Sequence, residues 1–136
     1  NYNRKIFYFN RRYGTPKGGL LYMDKRHTEG QICETILAEY LLRLNMYVYP
    51  ASAIVGPVDV VAITEKGKIY LFDAKKDAKR YVPERGQENR IYRVLTPLQK
   101  LLGVRMAYVD VETREVHIVP PLDEEIKNED YNAATE

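Results

Sequence analysis

Among the 136 residues there is one cysteine, Cys33, so the chain can form neither an internal disulfide nor a cysteine-rich zinc site. No apolar run nears the roughly 18 residues that would cross a bilayer. No basic-then-apolar leader opens the chain, and the expectation is a cytoplasmic protein without membrane contact. No dinucleotide-binding glycine fingerprint follows an expected strand, and Lys17-Gly18-Gly19 lacks the Gly-Lys-Ser/Thr of a phosphate-binding loop. His27 and His117 lie far apart and Cys33 falls on an apolar helical stripe, which argues against a Cys/His nucleophile pair. His27, in Lys25-Arg26-His27, can meet a phosphate; His117 reads as a structural strand residue.

What is present is charge in blocks. The formal net charge is only +2. Yet residues 1–29 carry seven Lys/Arg against two acids, residues 75–100 eight against three, and residues 110–136 two against nine. Two basic segments that fold onto one face would suit a phosphate backbone; the alternative is ordinary solvated surface. The expected contacts are Arg11, Arg12, Lys17, Lys25 and Arg26 from the first segment and Lys76, Lys79 and Arg80 from the second. Twelve tyrosines, several beside arginines, add groups able to stack on bases or to serve as half-buried strand residues.

The composition, 45% hydrophobic and 29% charged, is that of one globular domain. Lys5-Ile6-Phe7-Tyr8-Phe9 reads as a strand, with 20–23 as its return across a basic loop, making residues 1–29 a basic extension. Residues 31–45 give the clearest helix, with Cys33, Leu37, Tyr40, Leu41 and Leu44 on one stripe. Strands are expected at 47–49, 58–63 and 68–74, then an irregular basic stretch from 76 to about 87. Thr96-Pro97 opens a helix that Gly103 ends, and a hairpin follows at 104–119. Past Pro120-Pro121 the acidic tail, 121–136, is expected to fray. The order is helix, three strands, helix, two strands, an α/β or α+β domain around a central mixed sheet with flanking helices.

The informative hairpin spans 58–75. Read with the three-residue loop Glu65-Lys66-Gly67, glycine taking the positive-φ place, its paired residues sum to 132. Asp59 then opposes Asp73, and Lys75 points to the same face. A two-residue turn would send the aspartates to opposite faces. Two opposed carboxylates need a positive partner, Lys75 or a divalent ion. On the helix, Glu34 shares a side with Leu37, Ala38 and Leu41, a costly place for an unpartnered acid. The bland alternatives are a snorkelling Glu34 and a plain Asp73–Lys75 ion pair. Oxygen ligands of this kind suit Mg²⁺ or Mn²⁺ rather than zinc.

The string Gly56-Pro57-Val58-Asp59, thirteen residues, then Asp73-Ala74-Lys75 resembles the signature of the PD-(D/E)XK nuclease superfamily. Gly30-Gln31-Ile32-Cys33-Glu34 is similar to the first-helix motif of its archaeal Holliday-junction resolvase branch. Thr96-Pro97-Leu98-Gln99-Lys100 resembles a second-helix glutamine motif that recurs in the virus-type replication-repair nuclease branch. The resemblance covers about 30–119 and implies a restriction-endonuclease-like core of αβββαβ order. It implies that Glu34, Asp59, Asp73 and the Ala74 carbonyl hold the metal, that Lys75 activates water, and that Gln99 approaches the site. The implied activity is Mg²⁺-dependent endonucleolytic hydrolysis of DNA, structure-specific for branched or junction DNA, where a resolvase acts as a homodimer. A homing or restriction-type duplex nuclease, a non-catalytic nucleic-acid-binding module and RNA processing are the competing readings. Residues 1–29 match no part of the family pattern.

Overall fold

The computed structural model describes residues 25–53, 55–123 and 126. The expected strand at 5–9, its return at 20–23 and Arg11, Arg12 and Lys17 lie outside the described residues. The elements are α1 (Lys25–Arg43), β1 (Tyr47–Pro50), β2 (Val60–Ile63), β3 (Ile69–Lys76), β4 (Lys79–Val82), β5 (Gln87–Arg90), α2 (Pro97–Leu102), β6 (Arg105–Val109) and β7 (Val116–Val119). Five strands form one mixed sheet in the order β1-β2-β3-β6-β7, antiparallel except for the central β3–β6 pair. The fold is α+β with flanking helices.

Alternation along the strands decides which side is core. Val60, Ala62, Tyr70, Phe72, Ala74, Ala107 and Val109 are buried on one face, where Cys33, Ile36, Leu37 and Leu41 of α1 pack against them. Burial pushes the Cys33 thiol pKa up, so it stays protonated and inert. The helix begins six residues before the periodicity does, because Lys25 to Gly30 carry no apolar face to register. Odd-numbered residues of β3, Asp73 among them, therefore project to the face opposite α1.

The turn that sets this register is as expected. Gly67 has φ +85°, its N–H donates to the Thr64 carbonyl, and Ile63 pairs with Ile69. Gly67→Ala should lower stability by about 1–2 kcal/mol, since an L-residue is forced into the left-handed region. No neighbouring atom lies within 4 Å of the added methyl, so backbone strain alone should shift the denaturation midpoint.

Two expectations need correction. The stretch after β3 is not irregular: β4 and β5 pair antiparallel from Lys79↔Arg90 to Val82↔Gln87. Both faces of this ribbon are mostly polar, so no apolar alternation marks it in the sequence. Nor does the chain fray directly after Pro121. Leu122 is buried, the Tyr70 hydroxyl donates to Asp123 at 2.8 Å, and Lys68 pairs with the same carboxylate.

Candidate active site

Asp59 and Asp73 meet where β2 and β3 part. The ladder runs with the expected register as far as Val60↔Phe72 and then breaks. The Asp59 N–H donates to the Phe72 carbonyl at 2.8 Å, and Asp59 Oδ2 accepts the Ala74 N–H at 2.9 Å. The aspartates thus face each other beyond the last strand pair. The Asp59 carboxylate takes the backbone donor that a continued ladder would have used.

Burial, a hydrogen bond shared with Asp73 and the charges of Asp73 and Glu34 push the Asp59 pKa up to about 7, against the pull of the Ala74 N–H. Asp59 is therefore far harder to ionise than an ordinary aspartate, because its carboxylate would stand buried beside a second one. Lys75 Nζ lies 3.6 Å from Asp73 Oδ1. The Asp73 side chain is 13% exposed and that of Lys75 47%, so water screens the pair and the ammonium only partly offsets the opposed acids.

Gln99 completes the group. It is 6% exposed, and α2 presents it toward the carboxylates. Its Oε1 accepts the Thr96 N–H at 3.0 Å while Thr96 Oγ1 accepts the Gln99 N–H at 3.2 Å, a reciprocal capping box. Its Nε2 then donates to Asp73 Oδ2 at 2.8 Å and to the Pro57 carbonyl at 3.0 Å. One side chain therefore starts the helix, orients one aspartate and ties down the loop that delivers the other. Gly103, at φ +73°, closes α2 as its place in the sequence implied.

Glu34 stands differently from the expectation. It is half-buried on α1, and its charge reaches Asp59. Among the described residues, however, no three His, Cys, Asp or Glu side chains form a group able to hold one ion. The reason is topological: α1 lies under the even-numbered face of β3, whereas Asp73 leaves the odd-numbered face. Helical phase places Glu34 toward the sheet without saying which sheet face the aspartates use.

Of the basic residues, Lys25 and Arg26 open α1 and are exposed, as are Lys79 and Arg80 on β4. Lys76 is exposed and approaches Glu29 of α1 at 3.5 Å. That contact sets Glu29, early in α1, beside the end of β3. His27 and His117 are both exposed, His117 on β7.

Sequence reading missed the anchorage of the β4–β5 ribbon. Arg90 donates to both Asp77 oxygens, at 2.7 and 3.1 Å, and lies 5.8 Å from the centre of the Tyr108 ring. Tyr92 meets Tyr108 edge-on, and the Tyr108 hydroxyl accepts the Arg93 N–H at 2.7 Å. Thirteen positions separate Asp77 from Arg90, and only the hairpin pairing brings them together. No family model, no curated protein and no solved structure matches this chain.

Proposed function

We propose that the protein is a metal-dependent endonuclease that hydrolyses DNA phosphodiester bonds on a restriction-endonuclease-like core. The observation that carries this reading is the opposed Asp59–Asp73 pair with Lys75 and Gln99 on it. Supporting it are an element order that, with the inserted ribbon set aside, runs αβββαβ before the final strand β7, and the resemblance of the same four residues to the PD-(D/E)XK pattern. No helix among the described residues is long and apolar enough to cross a membrane.

The donor set fits a hard divalent ion. A buried Asp59 whose pKa is raised partly by the neighbouring Asp73 marks a place a cation stabilises, and Mg²⁺, which keeps most of its waters, needs few protein oxygens. Asp59, Asp73 and the Ala74 carbonyl would hold Mg²⁺ or Mn²⁺, with Glu34 adding negative charge from α1. Once bound, such an ion acidifies a coordinated water and neutralises charge on a phosphoryl oxygen. Everything else falls to the chain's own groups. Asp59, hard to ionise on its own, would release its proton to solvent as a cation takes its place. Gln99 holds Asp73 by Oδ2 and leaves Oδ1 toward Lys75. The Lys75 ammonium orients the attacking water and meets the negative charge that develops in line with the leaving oxygen. Lys25, Arg26, Lys76 and Lys79 provide cations for the phosphates on either side, and Arg80 adds a further cation toward the DNA.

The test is a cleavage panel of four-way, nicked and linear duplex DNA and of RNA, with Mg²⁺ or Mn²⁺ omitted, added and chelated. Metal-dependent DNA cleavage is expected, and four-way preference with a two-fold dimer in solution would mark junction resolution. A defined cut in linear duplex would mark a restriction-type role. Lys75→Ala should slow cleavage by about 10²–10³-fold, the scale of one lost preorganised electrostatic group, and leave DNA affinity within about twofold. Absence of cleavage on every substrate, with Lys75→Ala indistinguishable from wild type, would leave only a binding module.

A further inference from the structure

The β4–β5 ribbon has no part in the core. β4 follows β3 after two residues, Asp77 and Ala78, and among the described residues no other helix or strand packs extensively along the ribbon. A two-stranded ribbon alone is marginal in water, yet this one is clamped at its root. Besides the Arg90–Asp77 fork and the Tyr108 contacts, the Asp77 N–H donates to the Val109 carbonyl and the Ile91 N–H to the Ala78 carbonyl, both at 2.8 Å. A rigid root under an exposed ribbon is the construction of an arm that meets a ligand.

Its two faces differ. Pairing puts Lys79, Tyr81, Glu88 and Arg90 on one side and Arg80, Val82, Gln87 and Asn89 on the other. The second side carries no acid. Its polar groups, a guanidinium and two carboxamides, are the ones that read guanine and adenine edges. Gln87 Nε2 donates to Asn89 Oδ1 at 3.2 Å, which aligns the two amides along that face. The tip, Pro83-Glu84-Arg85-Gly86, turns at Gly86 with φ +60° and leaves Arg85 exposed.

We propose that the β4–β5 ribbon lies in the major groove of double-helical DNA beside the scissile phosphate, with Arg80, Gln87 and Asn89 against the base edges. This deepens the nuclease reading and rests on it for the position of the cut. The groove of B-form DNA, about 12 Å wide, admits a two-stranded ribbon, and four residue pairs of about 3.3 Å each give an arm near 13 Å long. The deep, narrow major groove of A-form RNA does not admit one. The substrate is therefore DNA with intact duplex on the side toward which β3 runs.

Binding without metal tests the arm apart from catalysis. Fluorescence anisotropy in chelator would compare one duplex sequence as DNA, as RNA, and as DNA whose major groove is filled by bulky cytosine C5 substituents. Wild type should prefer plain duplex DNA to both by at least about tenfold, the scale of one good base-edge contact. Arg80→Ala/Gln87→Ala should lose that preference, whereas Tyr81→Ala/Glu88→Gln, on the opposite side of the ribbon, should keep it. Matched unfolding midpoints would show that both variants fold. Equal binding of plain and filled duplexes, equal binding of DNA and RNA, or an unaffected Arg80→Ala/Gln87→Ala variant would overturn the proposal. Groove-dependent binding with no cleavage under any metal would retire the nuclease and keep the arm; cleavage indifferent to groove filling and to the ribbon variants would do the reverse.

Discussion

Asp59→Asn is expected to stabilise the metal-free protein at pH 8 while slowing cleavage by about 10²–10³-fold, the scale seen when one preorganised electrostatic group is removed. The two effects have one cause. In the folded protein the Asp59 pKa is raised from 3.8 to about 7, burial being the largest contribution. A raised folded pKa means that the pair's stabilising contribution is fully present below about pH 4. It is lost as pH rises through about 7, where the unfolded chain ionises freely and the folded one resists. At 1.36 kcal/mol per pH unit the shift corresponds to at most about 4 kcal/mol. Water reaching the site lowers that to about 1–2 kcal/mol. Asparagine keeps an oxygen for the Ala74 N–H and offers Asp73 an amide donor at every pH, so the variant's unfolding midpoint should stay flat from pH 5 to 8. Wild type in chelator should fall over that window and recover when Mg²⁺ is added, because a ligand bound only by the folded state stabilises it. A wild-type midpoint that is independent of pH, or one that Mg²⁺ does not move, would show that the two carboxylates do not share a site.

Gln99→Leu should be the most damaging single change near the site. It leaves the Thr96 N–H, the Pro57 carbonyl and Asp73 Oδ2 without the partners Gln99 gives them. Buried polar groups so stranded cost about 1–3 kcal/mol each where water cannot replace the partner. With α2 able to shift and readmit solvent, the net loss should be about 2–4 kcal/mol. Gln99→Glu separates the two duties. Glutamate serves in a capping box as glutamine does, so α2 should still start at Pro97. The new carboxylate, however, stands against Asp73 where an amide donor stood. This variant should unfold near the wild-type midpoint at pH 5 and well below it at pH 8, while Gln99→Leu is destabilised at both. Denaturant titrations at the two pH values decide it; parallel behaviour of the variants would mean that Gln99 caps a helix and does nothing for Asp73.

The sequence by itself determined the local devices. Alternation gave the central strands, Gly67 the turn and register, Thr96-Pro97 and Gly103 the limits of α2, and the 3.6-residue stripe the buried side of α1. Each depends on residues within a few positions of one another, which is why each could be read. The turn and a period of two bring Asp59 and Asp73 to the same end of the hairpin, but the ladder stops at Val60↔Phe72 and the Asp59 carboxylate takes the Ala74 N–H in its place. What only the tertiary structure decided are relations between distant segments. Which sheet face α1 covers is set by how the whole apolar surface closes, and that is why Glu34 reaches Asp59 by its charge without standing beside it as a third ligand. The Gln99 amide on Asp73 spans 26 positions and depends on where α2 lands after the ribbon. The ribbon itself, polar on both sides, is held by Asp77, Arg90 and Tyr108 meeting at its root, and no periodicity in a single strand encodes a clamp made by three.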